Sequence, residues 1–290
     1  MFELANYIVV NQVSANKKKA SEVIKRHRHL IPVATNVNSY NAFNLAKLTG
    51  YRLFEGRFYR VPLTAGKKQE VSPMKALAVQ LLNAVRDDNF ELDEVSKIVE
   101  KDVALSVSLL RRINSQNFAT EIKTIQHAAA MLGQKELRKW VSSTASARLG
   151  SDKPTEVNKV SLLRAKFAEN LAGLFGLAMQ ADSLFLMGLF SILDVMLDVS
   201  IEEALTMVSV SDNIRKALVK HSGPFYPILE FIQYYEAADW TSVARYIILH
   251  NIEADKVYTS YIETIKWYSD LMHAIESADE EQEEGEAAQA

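Results

Sequence analysis

Cysteine is absent from the 290-residue sequence, so disulfide bonds, thiolate metal ligands and cysteine nucleophiles are excluded. Glycine and proline are scarce, with 10 and 6 residues, which is too few for a protein built from many short strands and tight turns. The most apolar run, residues 184–193, is about half as long as the ~20 residues that a membrane-spanning helix needs. The N-terminus lacks the basic start and the cleavage site of a secretory signal peptide. We therefore expect a cytoplasmic, mainly helical protein that does not enter a membrane.

Charge is distributed unevenly along the chain. Acidic residues outnumber basic ones by 36 to 33, but from Glu276 onward there are seven acidic residues and no basic one. A run of like charges without large apolar side chains buries too little surface to offset the entropy lost on ordering. Residues 276–290 are therefore predicted to form a disordered acidic tail. The rest of the chain is close to neutral, which argues against nucleic acid as a partner.

The first sixty residues have a pattern of their own. Short β-branched or apolar runs alternate with two helix-prone segments, and the order is residues 7–10, 15–29, 31–34, 40–48 and 51–54. Strands that are separated by single helices pair in parallel. Residues 1–63 are therefore predicted to form a β-α-β-α-β segment, which is a fragment of a larger α/β fold.

A second domain is predicted after a linker at residues 64–73. Ser72 and Pro73 supply a helix N-cap and a proline at the first helical position. From Met74 onward, apolar residues recur at helical spacing and strand-like alternation does not reappear. Residues 74–275 are therefore predicted to form an all-helical domain.

Known catalytic motifs are missing, and two other features remain as candidates. The sequence has no His-Glu-x-x-His, Gly-x-Ser-x-Gly, P-loop or Gly-x-Gly-x-x-Gly pattern. The basic residues of segment 17–29 lie on one predicted helix and offer charges for phosphate groups, although a solvated helix face explains them as well. Tyr234, Tyr235 and Trp240 belong to an aromatic-rich region that fills a core or forms an interaction surface.

Several segments of the helical part resemble the HDOD domain, an all-helical relative of the HD phosphohydrolases. They are residues 105–115 (LSVSLLRRINS), 124–133 (TIQHAAAMLG), 137–140 (LRKW), 164–172 (RAKFAENLA), 185–194 (FLMGLFSILD) and 235–240 (YEAADW). The resemblance places the His-Asp pair that names the HD superfamily near Ser191 and Ile192. Neither residue binds a metal ion as histidine and aspartate do.

Residues 1–63 resemble the end of an EAL domain, a TIM-type barrel whose active members hydrolyse cyclic dimeric GMP with metal-binding carboxylates and a lysine. In residues 5–11 (ANYIVVN) the resemblance places Val9 at the lysine, and in residues 35–39 (TNVNS) it places Thr35 at a metal-linked glutamate. In residues 55–59 (EGRFY), Glu55 replaces a glutamine. Valine cannot stabilise phosphate charge, and threonine offers no anionic ligand to a divalent cation.

These resemblances predict a bacterial EAL-HDOD signal-transduction protein in which both domains are degenerate. We expect no catalytic residues, no metal ion, no cofactor and no enzymatic activity, but a regulatory role through an unidentified protein partner. Three strands cannot close a barrel, so self-association through the N-terminal fragment is also expected. The alternatives are a cyclic di-GMP phosphodiesterase, an HD-type phosphohydrolase, or a nucleic-acid-associated regulator that uses residues 17–29.

Overall fold

A computed structural model describes residues 5–11, 17–60, 72–87, 89–114, 122–208 and 210–287 of the protein. The chain divides into two compact units. One comprises residues 1–68 with 194–199, and the other comprises residues 69–193 with 200–290. Most of the predicted linker lies outside the described residues, and so do residues 1–4 and 288–290.

The N-terminal unit is an α/β unit with a small parallel sheet. Its elements in chain order are β1 (Tyr7–Asn11), α1 (Lys17–Arg26), β2 (Ile31–Thr35), α2 (Tyr40–Thr49) and β3 (Leu53–Phe54). The strands lie in the order β1-β2-β3, with Tyr7 opposite Ile31 and Val33 opposite Leu53. The predicted β-α-β-α-β order and the parallel pairing are confirmed.

Local signals in the sequence explain where α2 begins and ends. The Ser39 side chain accepts a hydrogen bond from the backbone N–H of Ala42, which caps the first turn. Gly50 ends the helix with φ 102°, a left-handed conformation that glycine adopts without a steric penalty. The helix packs its aromatic side chains onto the unit's core, where the rings of Phe43 and Phe58 stack 4.3 Å apart.

All regular secondary structure in the described chain after residue 72 is helical. They are α3 (Pro73–Ala84), α4 (Leu92–Val99), α5 (Val103–Asn114), α6 (Ile125–Leu149), α7 (Thr155–Leu171), α8 (Ala181–Phe190), α9 (Leu193–Leu197), α10 (Ile201–Met207), α11 (Asp212–Lys220), α12 (Tyr226–Glu236), α13 (Trp240–Leu249) and α14 (Ala254–Ala287). Ser72 caps α3 as predicted, since its side chain accepts from the backbone N–H of Lys75. A mainly helical fold is thereby confirmed.

Two glycines shape the helical unit. Gly133 interrupts α6 with φ 72° and ψ 167°, a conformation essentially confined to glycine, so the helix bends there. Gly188 lets α8 approach α7 closely, because a Cβ atom at this position would lie 2.4 Å from the carbonyl oxygen of Arg164. The bend in α6 and the close pairing of α7 with α8 position the polar side chains discussed below.

Helix α14 differs from the prediction for the acidic end of the chain. Its backbone stays helical from Ala254 to Ala287, where a disordered tail was expected from residue 276. The helix is anchored earlier by the buried residues Val257, Ser260 and Thr264. Alanine, glutamate and glutamine have high helix propensity, so a helix that is already formed extends through such a segment at little cost.

Among the described residues, no helix combines the length and the apolar character that crossing a bilayer requires.

Candidate functional site

The positions singled out in the α/β unit lie at or near the carboxyl ends of its strands. Thr35 is the last residue of β2 and pairs with Asn11, the last residue of β1. Glu55 directly follows β3, and its carboxylate accepts a hydrogen bond of 3.1 Å from the backbone N–H of Asn36. Val9 lies two residues before the end of β1 and is 64% exposed. The structure thus brings Thr35 and Glu55 to one edge, with Val9 beside it.

This edge does not fit a divalent cation held by protein ligands. Val9 has no ligand atom, and the Thr35 hydroxyl is a weaker cation ligand than a carboxylate. Among the described residues of the whole chain, no three histidine, cysteine, aspartate or glutamate side chains lie close enough together to share a metal ion. Beside the single carboxylate of Glu55, which already accepts from the backbone N–H of Asn36, the edge offers hydroxyl, amide and backbone groups, which suit hydrogen bonding to a ligand.

The position near which the HD pair was expected holds a serine that is bound to a buried arginine. Ser191 lies just after α8, where its Oγ donates to the carbonyl oxygen of Gly188 at 2.7 Å. The same oxygen accepts a hydrogen bond of 3.0 Å from Nη1 of Arg164. Ile192 is buried and contributes no polar atom. The sequence alone shows that these two residues are not a His-Asp pair. The structure adds the hydrogen bond between Ser191 and Arg164.

Arg164 forms the most buried ion pair among the described residues, with Glu236 as its partner. Its Nε and Nη2 atoms donate to the two carboxylate oxygens of Glu236, at 2.8 Å each. The side chain of Arg164 is 7% exposed and that of Glu236 is 20% exposed, although Glu236 ends α12 at the surface. A bidentate arginine–carboxylate pair fixes geometry as well as charge. The pair therefore ties α7 to α12, and Ser191 adds the end of α8.

A second charged cluster links α6 and α7. The Glu169 carboxylate accepts from the Nζ atoms of Lys139 and Lys166, the latter at 2.8 Å. Burial alone would raise the pKa of Glu169, but the two hydrogen-bonded lysines outweigh it and hold the pKa below its ordinary value. Sequence reasoning missed this cluster and the Arg164 pair. Lys139 lies 30 residues from Glu169 and Arg164 lies 72 residues from Glu236, so no local pattern marks these two pairs.

The aromatic residues singled out in the C-terminal region differ in their surroundings. Trp240 is 58% exposed at the start of α13. Its ring lies edge-on to Tyr235, at 5.4 Å, and Tyr235 in turn lies 5.3 Å from Phe167. The Tyr234 hydroxyl lies 3.5 Å from a carboxylate oxygen of Glu230. Trp240 thus remains accessible to a partner, whereas Tyr235 belongs partly to the core, and an interaction surface here stays a prediction.

Two curated proteins are similar to most of the chain. The cyclic di-GMP phosphodiesterase CdgJ of Vibrio cholerae is 31% identical over 245 residues, which cover 84% of this chain and 56% of that protein. The uncharacterised protein YuxH of Bacillus subtilis is 29% identical over 253 residues, which cover 85% of this chain and 61% of that protein. The chain therefore spans little more than half the length of either relative. No solved structure shows a significant match.

The similarity to CdgJ corrects the expectation that the protein has no enzymatic activity. That expectation rested on Val9, Thr35, Ser191 and Ile192, four positions at which the resemblances predicted catalytic or metal-binding side chains. A relative that is named as a phosphodiesterase and matches 84% of the chain points toward an enzyme instead. Substitutions at a few positions describe those positions alone, and they do not exclude activity in the protein as a whole.

The family of the helical part follows from a direct match. The sequence profile of the HDOD domain matches residues 71–215, which is half of the chain and extends from the segment before α3 into α11. The match does not reach residues 1–63, so their origin from an EAL domain stays a prediction. The helical architecture and the profile agree, and the chain belongs to the HDOD domain family.

Proposed function

We propose that the protein acts in cyclic di-GMP signalling as a phosphodiesterase that hydrolyses this dinucleotide. The observation that carries the proposal is the extent of the similarity to CdgJ. The similarity covers 245 residues, far more than the HDOD match at residues 71–215, so it includes much of the chain outside that domain. The relation is therefore not limited to a shared helical module.

The carboxyl edge of the small sheet supports the proposal as a place for substrate contacts. In parallel α/β structures, ligands bind at the carboxyl ends of the strands. Asn11 and Thr35 end adjacent strands there, and their amide and hydroxyl groups are hydrogen-bond donors of the kind that phosphodiester oxygens accept. The Glu55 carboxylate accepts a hydrogen bond from the backbone N–H of Asn36 and so orders the chain directly after β2. We assign substrate binding to this edge, and no step of hydrolysis to these side chains.

The test is direct measurement of turnover. The purified chain is incubated with cyclic di-GMP and Mg²⁺ or Mn²⁺, and the linear dinucleotide is followed by chromatography. We expect product to form in proportion to protein concentration, to be absent with heat-denatured protein, and to persist after a second purification. If neither cation supports consumption of cyclic di-GMP, or if the activity separates from the protein, the proposed function is wrong.

A pair of matched variants tests the assigned edge. Thr35→Val keeps the shape of the side chain and removes the hydroxyl, so KM for cyclic di-GMP should rise by roughly tenfold, the value of one hydrogen bond to a charged group. Thr259→Val makes the same change on α14, where the Thr259 hydroxyl bonds the backbone carbonyl of Asp255, and should leave KM unchanged. If the two variants have equal KM values, the substrate does not bind at this edge.

A further inference from the structure

Two adjoining cavities in the helical unit share part of their walls. The first has a volume of about 210 Å³ and the second about 220 Å³. Arg138, Ser142 and Leu186 line both of them. Each alone is smaller than the ~300 Å³ at which small-molecule sites begin, but the two together fall within the usual range.

The first cavity is cationic. Lys135, Arg138 and Lys139 line it from α6, just beyond the bend at Gly133. Their spacing of three and four residues puts them on one face of the helix. The carboxylate in the wall is Asp182, whose Oδ1 lies 3.9 Å from Nζ of Lys135 and 3.8 Å from Nζ of Lys139. Lys139 also pairs with Glu169, so three cations stand against the two carboxylates of Asp182 and Glu169. The excess of positive charge favours an anionic group.

Arg138 is held in place at the boundary between the cavities. One of its Nη atoms donates to the backbone carbonyl of Asp87, and its guanidinium carbon lies 5.6 Å from the centre of the Phe90 ring. These contacts fix the guanidinium before any ligand arrives. A fixed guanidinium presents planar, bidentate geometry to a phosphate group and loses little entropy on binding.

Ser142 is the second, independent indication of a ligand. The residue is fully buried on α6, and its Oγ has no hydrogen-bond partner in the structure. Buried hydroxyl groups normally have a partner, because leaving one without costs free energy. Since Ser142 lines both cavities, an acceptor atom placed between them would satisfy this hydroxyl.

The lining of the second cavity combines apolar side chains with the charged side chains of Arg86, Asp87 and Arg138. Leu82, Val85, Phe190, Val208 and Ile214 line it, from α3, α8, α11 and the end of α10. Ser183 and Ser211 add hydroxyl groups at its wall. Such a mixed lining suits a flat ring system whose faces pack on apolar side chains and whose edge carries polar atoms.

We propose that the two cavities form one binding site for a nucleoside monophosphate. The phosphate binds among Lys135, Arg138 and Lys139, the base packs on the apolar side chains of the second cavity, and the Ser142 hydroxyl donates to an oxygen between them. An inorganic anion would leave the apolar side chains of the second cavity without a contact, and an uncharged nucleoside would leave the cations of the first cavity without one. The inference concerns a binding site in the HDOD domain and does not depend on the proposed phosphodiesterase activity.

Calorimetry on the full chain tests the site with GMP, AMP, guanosine and inorganic phosphate as probes. We expect a mononucleotide to bind with a stoichiometry of one, at least tenfold more tightly than guanosine or inorganic phosphate. Binding should weaken with added salt, because the cationic cavity is partly open to solvent. Phosphate that binds as tightly as the nucleotides, guanosine that does so, or no binding of any nucleotide would each overturn the proposal.

Two variants locate the binding. Ser142→Ala removes the unpartnered hydroxyl and should lower mononucleotide affinity on the order of tenfold, with no loss of thermal stability, since no internal hydrogen bond is lost. Lys135→Ala removes a lysine whose side chain is 66% exposed and should weaken both the affinity and its dependence on salt. Ser143→Ala on α6 and Lys256→Ala on α14 are the matched controls. Neither residue lines the two cavities, so both variants should bind as the unmodified chain does.

The outcomes separate this inference from the proposed function. If neither Ser142→Ala nor Lys135→Ala weakens mononucleotide binding, the nucleotide binds elsewhere in the protein and the proposed site is wrong. Turnover of cyclic di-GMP is a separate readout, so its absence would refute the phosphodiesterase proposal without affecting the binding result.

Discussion

Replacing Glu236 with alanine removes the carboxylate that neutralises Arg164 in the helical unit. The Arg164 side chain is only 7% exposed in the native structure. Without Glu236 it keeps the hydrogen bond to the neutral Ser191 hydroxyl but has no counter-charge in the bidentate position. Breaking a buried ion pair by removing one partner costs ~3–5 kcal/mol, because the other charge stays buried. Since a fifth of the Glu236 side chain already contacts solvent, we expect a somewhat smaller cost, about 2–4 kcal/mol.

The assay is thermal and urea unfolding followed by circular dichroism. A loss of about 2–4 kcal/mol corresponds to a fall in Tm of roughly 5–15 °C for a helical unit of this size. Glu253→Ala provides the control, because it breaks an exposed ion pair with Lys256 in which the side chains are 69% and 58% exposed. That change should alter stability by less than ~0.5 kcal/mol.

A second substitution separates the buried charge from other effects of the Glu236 change. Arg164→Met removes the guanidinium, so the double variant with Glu236→Ala carries no uncompensated charge. We expect the double variant to be at least ~1 kcal/mol more stable than Glu236→Ala alone. If Glu236→Ala costs no more than Glu253→Ala, or if Arg164→Met adds its full cost to the double variant, the reasoning about a buried charge is refuted.

Two further predictions concern other parts of the helical unit. The Arg148 guanidinium, which donates to Asp102 at 2.7 and 2.9 Å, holds the pKa of that carboxyl below its ordinary value of 3.8. A carboxyl whose pKa is lowered in the folded state stabilises the fold at pH values above its unfolded-state pKa. The free energy of unfolding should therefore fall as the pH drops below about 5. Urea unfolding of Asp102→Asn over the same pH range should show a weaker fall. Trp240→Ala should change stability by less than ~1 kcal/mol because the ring is exposed, whereas Leu109→Ala in the core should cost ~2–5 kcal/mol. If the two variants lose the same free energy of unfolding, Trp240 belongs to the core and is not part of an interaction surface.

Much of the architecture could be predicted from the sequence, because the signals are local. The alternation of β-branched runs with helical segments predicted the parallel unit of Tyr7–Asn11, Ile31–Thr35 and Leu53–Phe54. Ser72 and Pro73 marked the start of α3. Each signal is complete within a few residues, since caps, turns and periodicity act over one or two turns of chain.

The polar clusters were decided by tertiary packing alone. Arg164 and Glu236 lie 72 residues apart, and nothing in either segment indicates that their side chains meet in a buried, bidentate pair. The burial of Ser142 without a partner follows in the same way from how α6 packs, not from its neighbours in sequence. Local residue patterns determine which helices form, but the burial and pairing of a polar side chain depend on helices that approach from distant parts of the chain.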